Sequence, residues 1–449
     1  MTEAGWTILS EGADYAVNAD IALSPGESDV LEELSQEYLE SSRLLPVADR
    51  LQARQLLEQL LMGVCRKKYL LLESSRAERV LRVAESNLSG LAFFDFLLAD
   101  PELEEVSVIG PNKPVYVFHR SRGWLKTAFA LTSQDCAVDL VNKMARPLGR
   151  RITLQNPRLD ALLPDGSRLH ATLAPVAVNG FEITLRKFRE KPFTVPELVS
   201  NGTLSPRIAA ALWLIMLSES SLAVAGNTGG GKTTLLNALF SFIPSRERIV
   251  AIEQTPELSL PQPHVVRLVA SDDLSVSLHA LVKDSLRMRP DRVVIGEVRD
   301  AAEAGALFDS LLAGQARGTY CTVHANSAQE CLTRLKRLGA EHDELSSLSF
   351  IAVCKRVLEH AGRRPVERRR LTELAAVENG SALKLAGFDR KAGRFTVFND
   401  AALIRVLAGV MALPPEAVRQ RLDEMEQYLV GLDGASFNDC AEAFERFLE

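Results

Sequence analysis

One glycine-rich stretch decides the fold of this chain. It follows the apolar residues 222–225 and reads Gly226, Asn227, Thr228, Gly229, Gly230, Gly231, Lys232, Thr233 and Thr234. The stretch fits the pattern G-x-x-x-x-G-K-[ST], with a predicted buried strand before it and a predicted helix after it. A loop in this position aims backbone N–H groups and the positive end of a helix at a phosphate. The stretch therefore predicts a P-loop nucleotide site.

Two residues of the loop have expected roles toward Mg²⁺-ATP. We expect Lys232 to contact the β- and γ-phosphates and Thr233 to hold the magnesium ion. The alternative is a glycine-rich turn that precedes a helix by chance. The strand expected before the loop makes that alternative less favourable, because the motif needs this context.

A second acidic element lies downstream, where the apolar residues 293–295 lead into Gly296 and Glu297. A carboxylate at the end of a core strand lies beside the metal and the attacking water in a P-loop domain. Glu297 is thus expected to polarise that water or to complete the metal's outer shell. The competing interpretation is an exposed carboxylate at a strand end.

Composition bounds the class of protein. A chain of 449 residues exceeds one ordinary core, and 47% hydrophobic with 24% charged residues is typical of a globular protein. The net charge of −6 does not favour a polyanionic partner, so we expect no direct contact with nucleic acid.

The sequence also predicts where the chain resides. The six cysteines show no spacing typical of a metal or disulfide site, which favours reduced thiols in the cytoplasm. The N-terminus does not resemble a secretory signal. The apolar run 208–217 is shorter than the about 20 residues of a membrane span, so it predicts a buried helix.

Hydrophobic periodicity and turn residues divide the chain. Leucine-rich helical spacing precedes short β-branched segments, and prolines then punctuate a linker. Beyond the linker, apolar strands alternate with helices, which indicates a mostly parallel α/β sheet. The predicted parts are a helical N-terminal extension (1–90), a smaller α/β N-terminal domain (91–190), a linker (191–205), a P-loop ATPase domain (206–362) and a C-terminal hairpin and helical tail (363–449).

A basic run lies near the start of the last part. It contains Arg363, Arg364, Arg368, Arg369 and Arg370. Lipid headgroups or a protein partner are possible contacts for such a run, but solvated charge is the default, so we expect these side chains to face water.

The ordered motifs resemble those of the type II and type IV secretion and pilus-assembly ATPases. The phosphate loop and Gly296-Glu297 are two of these motifs. The chain also has one segment similar to the family's acidic box, one similar to its histidine box, and three similar to parts of its N-terminal domain. These segments are 252–258, 322–326, 158–161, 163–168 and 183–188. The phrases at 193–198 and 286–291 look closest to the archaeal and tight-adherence pilus branch.

The resemblance implies a RecA-like fold for the P-loop domain and roles for five further residues. Glu253 and Glu257 would supply carboxylates near the γ-phosphate and magnesium, with the choice of base left open. His324 would sense the γ-phosphate. Arg168 and Arg186 would face the nucleotide from the N-terminal domain, although surface arginines are commonly only solvated.

The resemblance also implies a molecular context. The family forms rings, which predicts a homo-oligomer, most simply a hexamer, whose N-terminal domains rock against the ATPase domains. Such a motor works at the cytoplasmic face of the membrane on a polytopic platform protein, and through it on a prepilin filament. The predicted function is therefore ATP hydrolysis that powers pilus assembly or secretion.

Two departures from the family pattern keep alternatives open. Gln254 stands where the acidic box usually has aspartate, so hydrolysis could be slower. Gly230 stands where serine or alanine is usual, which adds loop freedom. A nucleotide-binding scaffold or regulator with weak hydrolysis, and a conjugation-type DNA-transfer ATPase, are the competing functions.

Overall fold

The computed structural model describes residues 6–8, 13–16, 21–44, 49–187, 191–271, 274–361, 364–432 and 436–448. The chain divides into two compact units, Met1–Phe188 and Arg189–Glu449.

The first unit is mixed α/β. Its elements in chain order are β1 (Trp6–Ile8), α1 (Pro25–Leu44), α2 (Arg50–Lys67), α3 (Ser74–Leu88), α4 (Phe93–Leu98), β2 (Leu103–Val108), β3 (Tyr116–His119), β4 (Gly123–Lys126), β5 (Phe129–Leu131), α5 (Gln134–Ala145), β6 (Arg158–Leu162), β7 (Arg168–Leu173) and β8 (Phe181–Arg186).

One hydrophobic core holds the first unit together. Leu57 of α2 and Val80 of α3 are buried in the same apolar cluster as Val106 and Ile183 of the sheet. That antiparallel sheet has the order β4-β3-β2-β8-β7-β6. The helices of residues 21–88 therefore share their core with the α/β elements that follow them.

The second unit carries the phosphate loop. Its elements are α6 (Val195–Ser200), α7 (Pro206–Leu217), β9 (Leu222–Gly226), α8 (Lys232–Phe240), β10 (Ile249–Glu253), β11 (Val265–Val269), α9 (Leu278–Ser285), β12 (Arg292–Val298), α10 (Ala301–Leu312), β13 (Gly318–His324), α11 (Ala328–Arg337), α12 (His342–Ser347), β14 (Phe350–Ala361), β15 (Arg364–Glu378), β16 (Ser381–Asp389), β17 (Arg394–Val397), α13 (Asp400–Met411), α14 (Pro415–Gly431) and α15 (Phe437–Leu448).

A nine-stranded sheet organises this unit, with the order β11-β10-β12-β13-β9-β14-β15-β16-β17. The strands from β11 to β14 run parallel, and β15 to β17 continue the sheet as antiparallel neighbours. The carboxyl ends of parallel strands meet at one edge of a sheet, where ligands bind in open α/β folds. The predicted α/β, RecA-like P-loop fold is confirmed.

The predicted buried helix is also confirmed. It is α7, whose residues from Ile208 to Met216 are buried in the core of the unit. In the part of the chain that the structure describes, no single helix is both long and apolar enough to cross a membrane. Helices α13 and α14, which meet at 100°, pass that test only as a bent pair and only by length and composition.

The expectation that the basic run faces water is wrong for Arg370. Its guanidinium is buried, donates to Glu359 at 2.7 and 3.0 Å, and also donates to the Gly202 carbonyl. Pairing with a carboxylate and a carbonyl makes the burial of this charge tolerable. Arg363 lies outside the described residues, as does the predicted boundary at 362–363; the strands on either side of it, β14 and β15, pair in one sheet.

Candidate active site

The phosphate loop lies at the edge where the parallel strands end. Strand β9 ends at Gly226, and α8 begins at Lys232, directly after Gly231, whose φ of 95° is a left-handed conformation that glycine adopts without strain. Gly226 is opposite His324 of β13 on one side and opposite Cys354 of β14 on the other. The loop is thus flanked by both neighbouring strands.

The structure provides a steric reason for glycine at position 230. A Cβ atom at this position would lie 2.7 Å from the carbonyl oxygen of Cys354 and 2.7 Å from Oδ1 of Asn227. Both distances are shorter than carbon and oxygen tolerate without displacement. A residue with a side chain at 230 therefore conflicts with the close approach of β14.

Three predicted residues form a continuous polar chain beside the loop. Nζ of Lys232 lies 3.3 Å from Nδ1 of His324, and Nε2 of His324 lies 2.7 Å from Oε1 of Glu297. Because an ammonium group only donates, Nδ1 is the acceptor and the imidazole proton resides on Nε2, from which it is donated to the carboxylate.

The charge state of His324 agrees with this tautomer. Burial is the largest cause that lowers the pKa of His324 below its ordinary value; the Lys232 charge lowers it further and the Glu297 carboxylate opposes the shift. The imidazole is therefore neutral at pH 7. Because the Lys232 charge contributes to this shift, an anion that binds Lys232 would change the pKa of His324.

Arg299 extends the chain, and sequence reasoning assigned it no role. Its Nε donates to Oε2 of Glu297 at 2.7 Å, and its Nη1 donates to Oε1 of Gln254 at 2.8 Å. Gln254 thus accepts from the guanidinium that also contacts Glu297. The glutamine at this place in the acidic box is tied to the carboxylate at the end of β12.

The two acidic-box carboxylates are in different surroundings. Glu253 is buried, and its Oε1 accepts the backbone N–H groups of Glu257 at 2.8 Å and Leu258 at 3.0 Å. Burial raises the pKa of Glu253 above its ordinary value. Oε2 of Glu257, in contrast, accepts from the Thr233 hydroxyl at 3.3 Å. Glu253 shapes the segment, whereas Glu257 contacts the loop.

The donor set suits magnesium. The Thr233 hydroxyl and the Glu257 carboxylate supply hard oxygen atoms, which Mg²⁺ prefers, and few protein ligands are needed because phosphate and water complete its shell. Glu297, the second predicted metal ligand, has its two oxygens paired with His324 and Arg299. Those pairings fit an outer-shell position better than direct coordination.

The two predicted arginines of the first unit form a cross-strand pair. Arg168 begins β7 and lies directly opposite Arg186 at the end of β8. Arg186 is also opposite Glu105 of β2. Side chains directly opposite in an antiparallel sheet lie on the same face, so the structure brings these two guanidinium groups to one place on that sheet.

Two more arginines contact the loop and were not predicted as site residues. Arg356 of β14 lies opposite Arg369 of β15, and Nε of Arg369 donates to the Gly229 carbonyl oxygen at 3.1 Å. Arg369 belonged to the run expected to face water, so that expectation is wrong for it too. The sequence holds no signal for this placement, because it depends on the strand register of the hairpin.

Comparison with known proteins was decisive for the family. The model of the family described as type II/IV secretion system protein matches residues 129–412, more than half of the chain. The chain belongs to the type II/IV secretion system protein family. The predicted family is therefore confirmed.

Individual relatives show how far the similarity extends. An uncharacterized protein of the archaeon Methanocaldococcus jannaschii is 41% identical over 236 residues, which cover 50% of this chain and 32% of that protein. A conjugal transfer protein of Rhizobium radiobacter, TrbB, is 30% identical over 247 residues, which cover 54% of this chain and 74% of TrbB. The archaeal similarity agrees with the predicted branch.

This chain is also similar to solved structures. The Legionella pneumophila ATPase DotB aligns with 75% of this chain and 87% of its own, at 19% identity and a TM-score of 0.48. This chain spans 32% and 47% of the length of the first two M. jannaschii relatives it matches. Activity and partners therefore depend on what this chain's own site supports.

Proposed function

We propose that this chain is an ATP-hydrolysing motor of a type II/IV secretion machine or of a related pilus-assembly system. The polar chain from Lys232 through His324 to Glu297 is the observation that carries the proposal. It links a residue suited to bind the terminal phosphates to one suited to orient water. A site that only bound nucleotide would not need this link.

Binding and chemistry have separate residues in this proposal. The loop amides from Gly226 to Thr234 hold the β-phosphate, and Lys232 reaches the β- and γ-phosphates. Magnesium, when bound beside Thr233 and Glu257, would offset negative charge on the phosphate oxygens. A carboxylate has about four acceptor sites. Glu297 therefore keeps capacity to orient the attacking water while it accepts from His324 and Arg299.

The first unit would contribute charge from its arginine pair. We assign Arg168 and Arg186 to the stabilisation of the charge that develops on the transferred phosphoryl group, because guanidinium groups suit that task. We further propose that residues 91–190 act as a domain that moves about a linker at 191–205 relative to residues 206–362. Residues 1–90 and 363–449 would extend the two domains.

The proposal also covers the oligomeric state, location and partners of the protein. A hexameric ring in the cytoplasm, peripheral to the membrane, would act on a polytopic platform protein and thereby on a prepilin filament. Direct contact with nucleic acid is not part of this function. The names of relatives support secretion and conjugation machines as the class of assembly.

The test is phosphate release by the full chain with ATP and magnesium, with and without its membrane partner. Glu297→Gln should reduce turnover by about 10²–10⁴-fold, the range for loss of a positioned acid–base group. Glu416→Gln, which alters an exposed carboxylate on α14, is the matched control and should change nothing. Equal turnover in wild type and Glu297→Gln would exclude the motor function.

Gln254 favours one alternative, a nucleotide-binding regulator with weak hydrolysis. Its amide accepts from Arg299, where the usual aspartate would form an ion pair. If Gln254→Asp raises turnover strongly, the natural site is a weakened one; unchanged turnover argues for the motor as it stands. The conjugal transfer relative favours DNA transfer as a second alternative, which retention of the protein on DNA at physiological salt would support.

A further inference from the structure

Basic side chains also lie beside the phosphate loop on the side away from Glu297 and His324. Strand β13 lies on one side of β9 and β14 lies on the other. Strand β14 continues beyond Cys354, the residue opposite Gly226, and β15 pairs with it along that extension. The β14–β15 hairpin therefore runs alongside the loop itself.

Two arginines of this hairpin lie against the loop. A Cβ atom on Gly229 would come 3.6 Å from Nε of Arg356, and one on Gly231 would come 3.6 Å from Cδ of Arg369. Nε of Arg369 donates to the Gly229 carbonyl oxygen at 3.1 Å. The backbone N–H of Arg356 donates to Oδ1 of Asn227 at 3.5 Å. The hairpin thus contacts the loop through side chains and main chain.

Like charges face each other beside the phosphate loop. Arg356 and Arg369 are directly opposite in an antiparallel pair, and like charges in that relation destabilise a sheet. Glu367, 3.3 Å from Arg356, offsets part of this charge. Lys232 adds another cation at the same loop. An anion bound at the loop would be attracted by these cations, and guanidinium groups are suited to phosphate.

The sheet order indicates which part of a nucleotide would lie there. The γ-phosphate end belongs beside Lys232, Glu297 and His324, on the β13 side of the loop. A nucleotide that continues across the loop places its nucleoside end toward the β14 side. The α-phosphate, present in ATP and ADP alike, is then the group nearest to the hairpin.

We propose that Arg356 and Arg369 bind the nucleotide at the α-phosphate and its nucleoside end, and that Arg369 also holds the loop in place through Gly229. This inference rests on the proposed nucleotide site, which it deepens. The contact is the same before and after hydrolysis. It therefore contributes uniform binding, which changes affinity without changing the rate of the chemical step.

The experiment measures equilibrium binding of fluorescent ADP to the full chain, with unlabelled ATP as competitor in the Glu297→Gln background. Arg356→Gln and Arg369→Gln should each weaken binding about tenfold, by the same factor for ADP and ATP. With Glu297 intact, the turnover number of each arginine variant at saturating ATP should stay within about twofold of wild type. Arg369→Lys keeps the charge and should restore part of the affinity.

Arg368→Gln is the matched control. Arg368 is the neighbour of Arg369 on β15, is exposed, and lies 3.5 Å from Glu359 on the other face of the hairpin. Its removal changes net charge equally but should leave ADP affinity unchanged. Thermal unfolding of every variant checks that the fold is retained. Because Arg356 is exposed, Arg356→Gln should not disturb core packing.

The outcomes separate this inference from the proposed function. Wild-type protein that binds neither nucleotide would overturn both. Normal wild-type binding, with Arg356→Gln and Arg369→Gln indistinguishable from Arg368→Gln, would overturn the inference alone. A fall in turnover number with unchanged affinity would overturn it as well, because the arginines would then act in the chemical step.

Discussion

Replacing Gly230 by alanine tests whether the phosphate loop is fitted to its neighbouring strand. The resemblance to the secretion and pilus-assembly ATPases implies serine or alanine here, so it alone would predict a neutral or favourable change. In this chain a Cβ atom would lie 2.7 Å from the Cys354 carbonyl oxygen, where about 3.4 Å is an ordinary contact. The loop or the strand must therefore move by about 0.7 Å.

The displacement should fall on the loop. Cys354 is paired with Gly226 on one side and with Leu371 on the other, so β14 is held within the sheet. Overpacking by one methyl group costs about 1–3 kcal/mol. Reduced freedom of the unfolded chain offsets about 0.4–1 kcal/mol of that cost. The net loss of stability is therefore about 0–2.5 kcal/mol. ADP affinity does not depend on the unfolded chain, so if the loop must return to its wild-type position to bind ADP, the full strain of about 1–3 kcal/mol weakens binding about 5- to 160-fold.

Urea denaturation and ADP titration of Gly230→Ala measure the two effects. Gly305→Ala is the control, because a Cβ atom on Gly305 of α10 would meet no neighbouring atom within 4 Å and the variant should gain about 1 kcal/mol of stability from helix propensity. The steric reasoning is refuted if Gly230→Ala gains stability as Gly305→Ala does and binds ADP as tightly as wild type.

Three other perturbations test packing and ionisation. Glu247→Gln should lower the free energy of unfolding by about 3–5 kcal/mol in urea denaturation, because it leaves the buried Arg292 guanidinium without its carboxylate. Phe444→Ala should cost about 3–5 kcal/mol and shift tryptophan emission, since Phe444 packs on the buried Trp213. Burial raises the pKa of Cys354 to about 12, so at pH 8 a disulfide reagent should label it only after unfolding, as spectrophotometric thiol counting would show.

The sequence predicted features that depend on neighbouring residues. The strand before Gly226, the helix after the phosphate loop and the buried helix predicted at 208–217 follow from apolar runs and from the glycine-rich motif, which act over a few positions. The parallel sheet followed from the alternation of strands and helices. Such patterns depend on residues that are close in sequence, so they can be recognised without the folded structure.

Features that depend on strand register could not be predicted from the sequence. Arg369 and Arg370 are adjacent in sequence, yet one contacts Gly229 of the loop while the other pairs with Glu359 in a buried site. In the sequence both belong to a run that is typical of solvated charge. Their opposite environments arise because successive side chains of a strand point to opposite faces.

The acidic box shows the same limit. Glu253 and Glu257 are equivalent candidates in the sequence, and the fold separates them by burying Glu253 against two backbone amides. Arg299 gained its position between Glu297 and Gln254 only from the juxtaposition of β10 and β12. Distances across a sheet decide these relations.

In the proposed mechanism, His324 and Glu297 act as one hydrogen-bonded unit in ATP hydrolysis. The most direct test is the turnover number of Glu297→Gln, His324→Asn and the double variant under saturating Mg²⁺-ATP. Residues that act as a unit are non-additive, so the double variant should be no slower than Glu297→Gln alone. Rate losses that multiply fully in the double variant would contradict this mechanism.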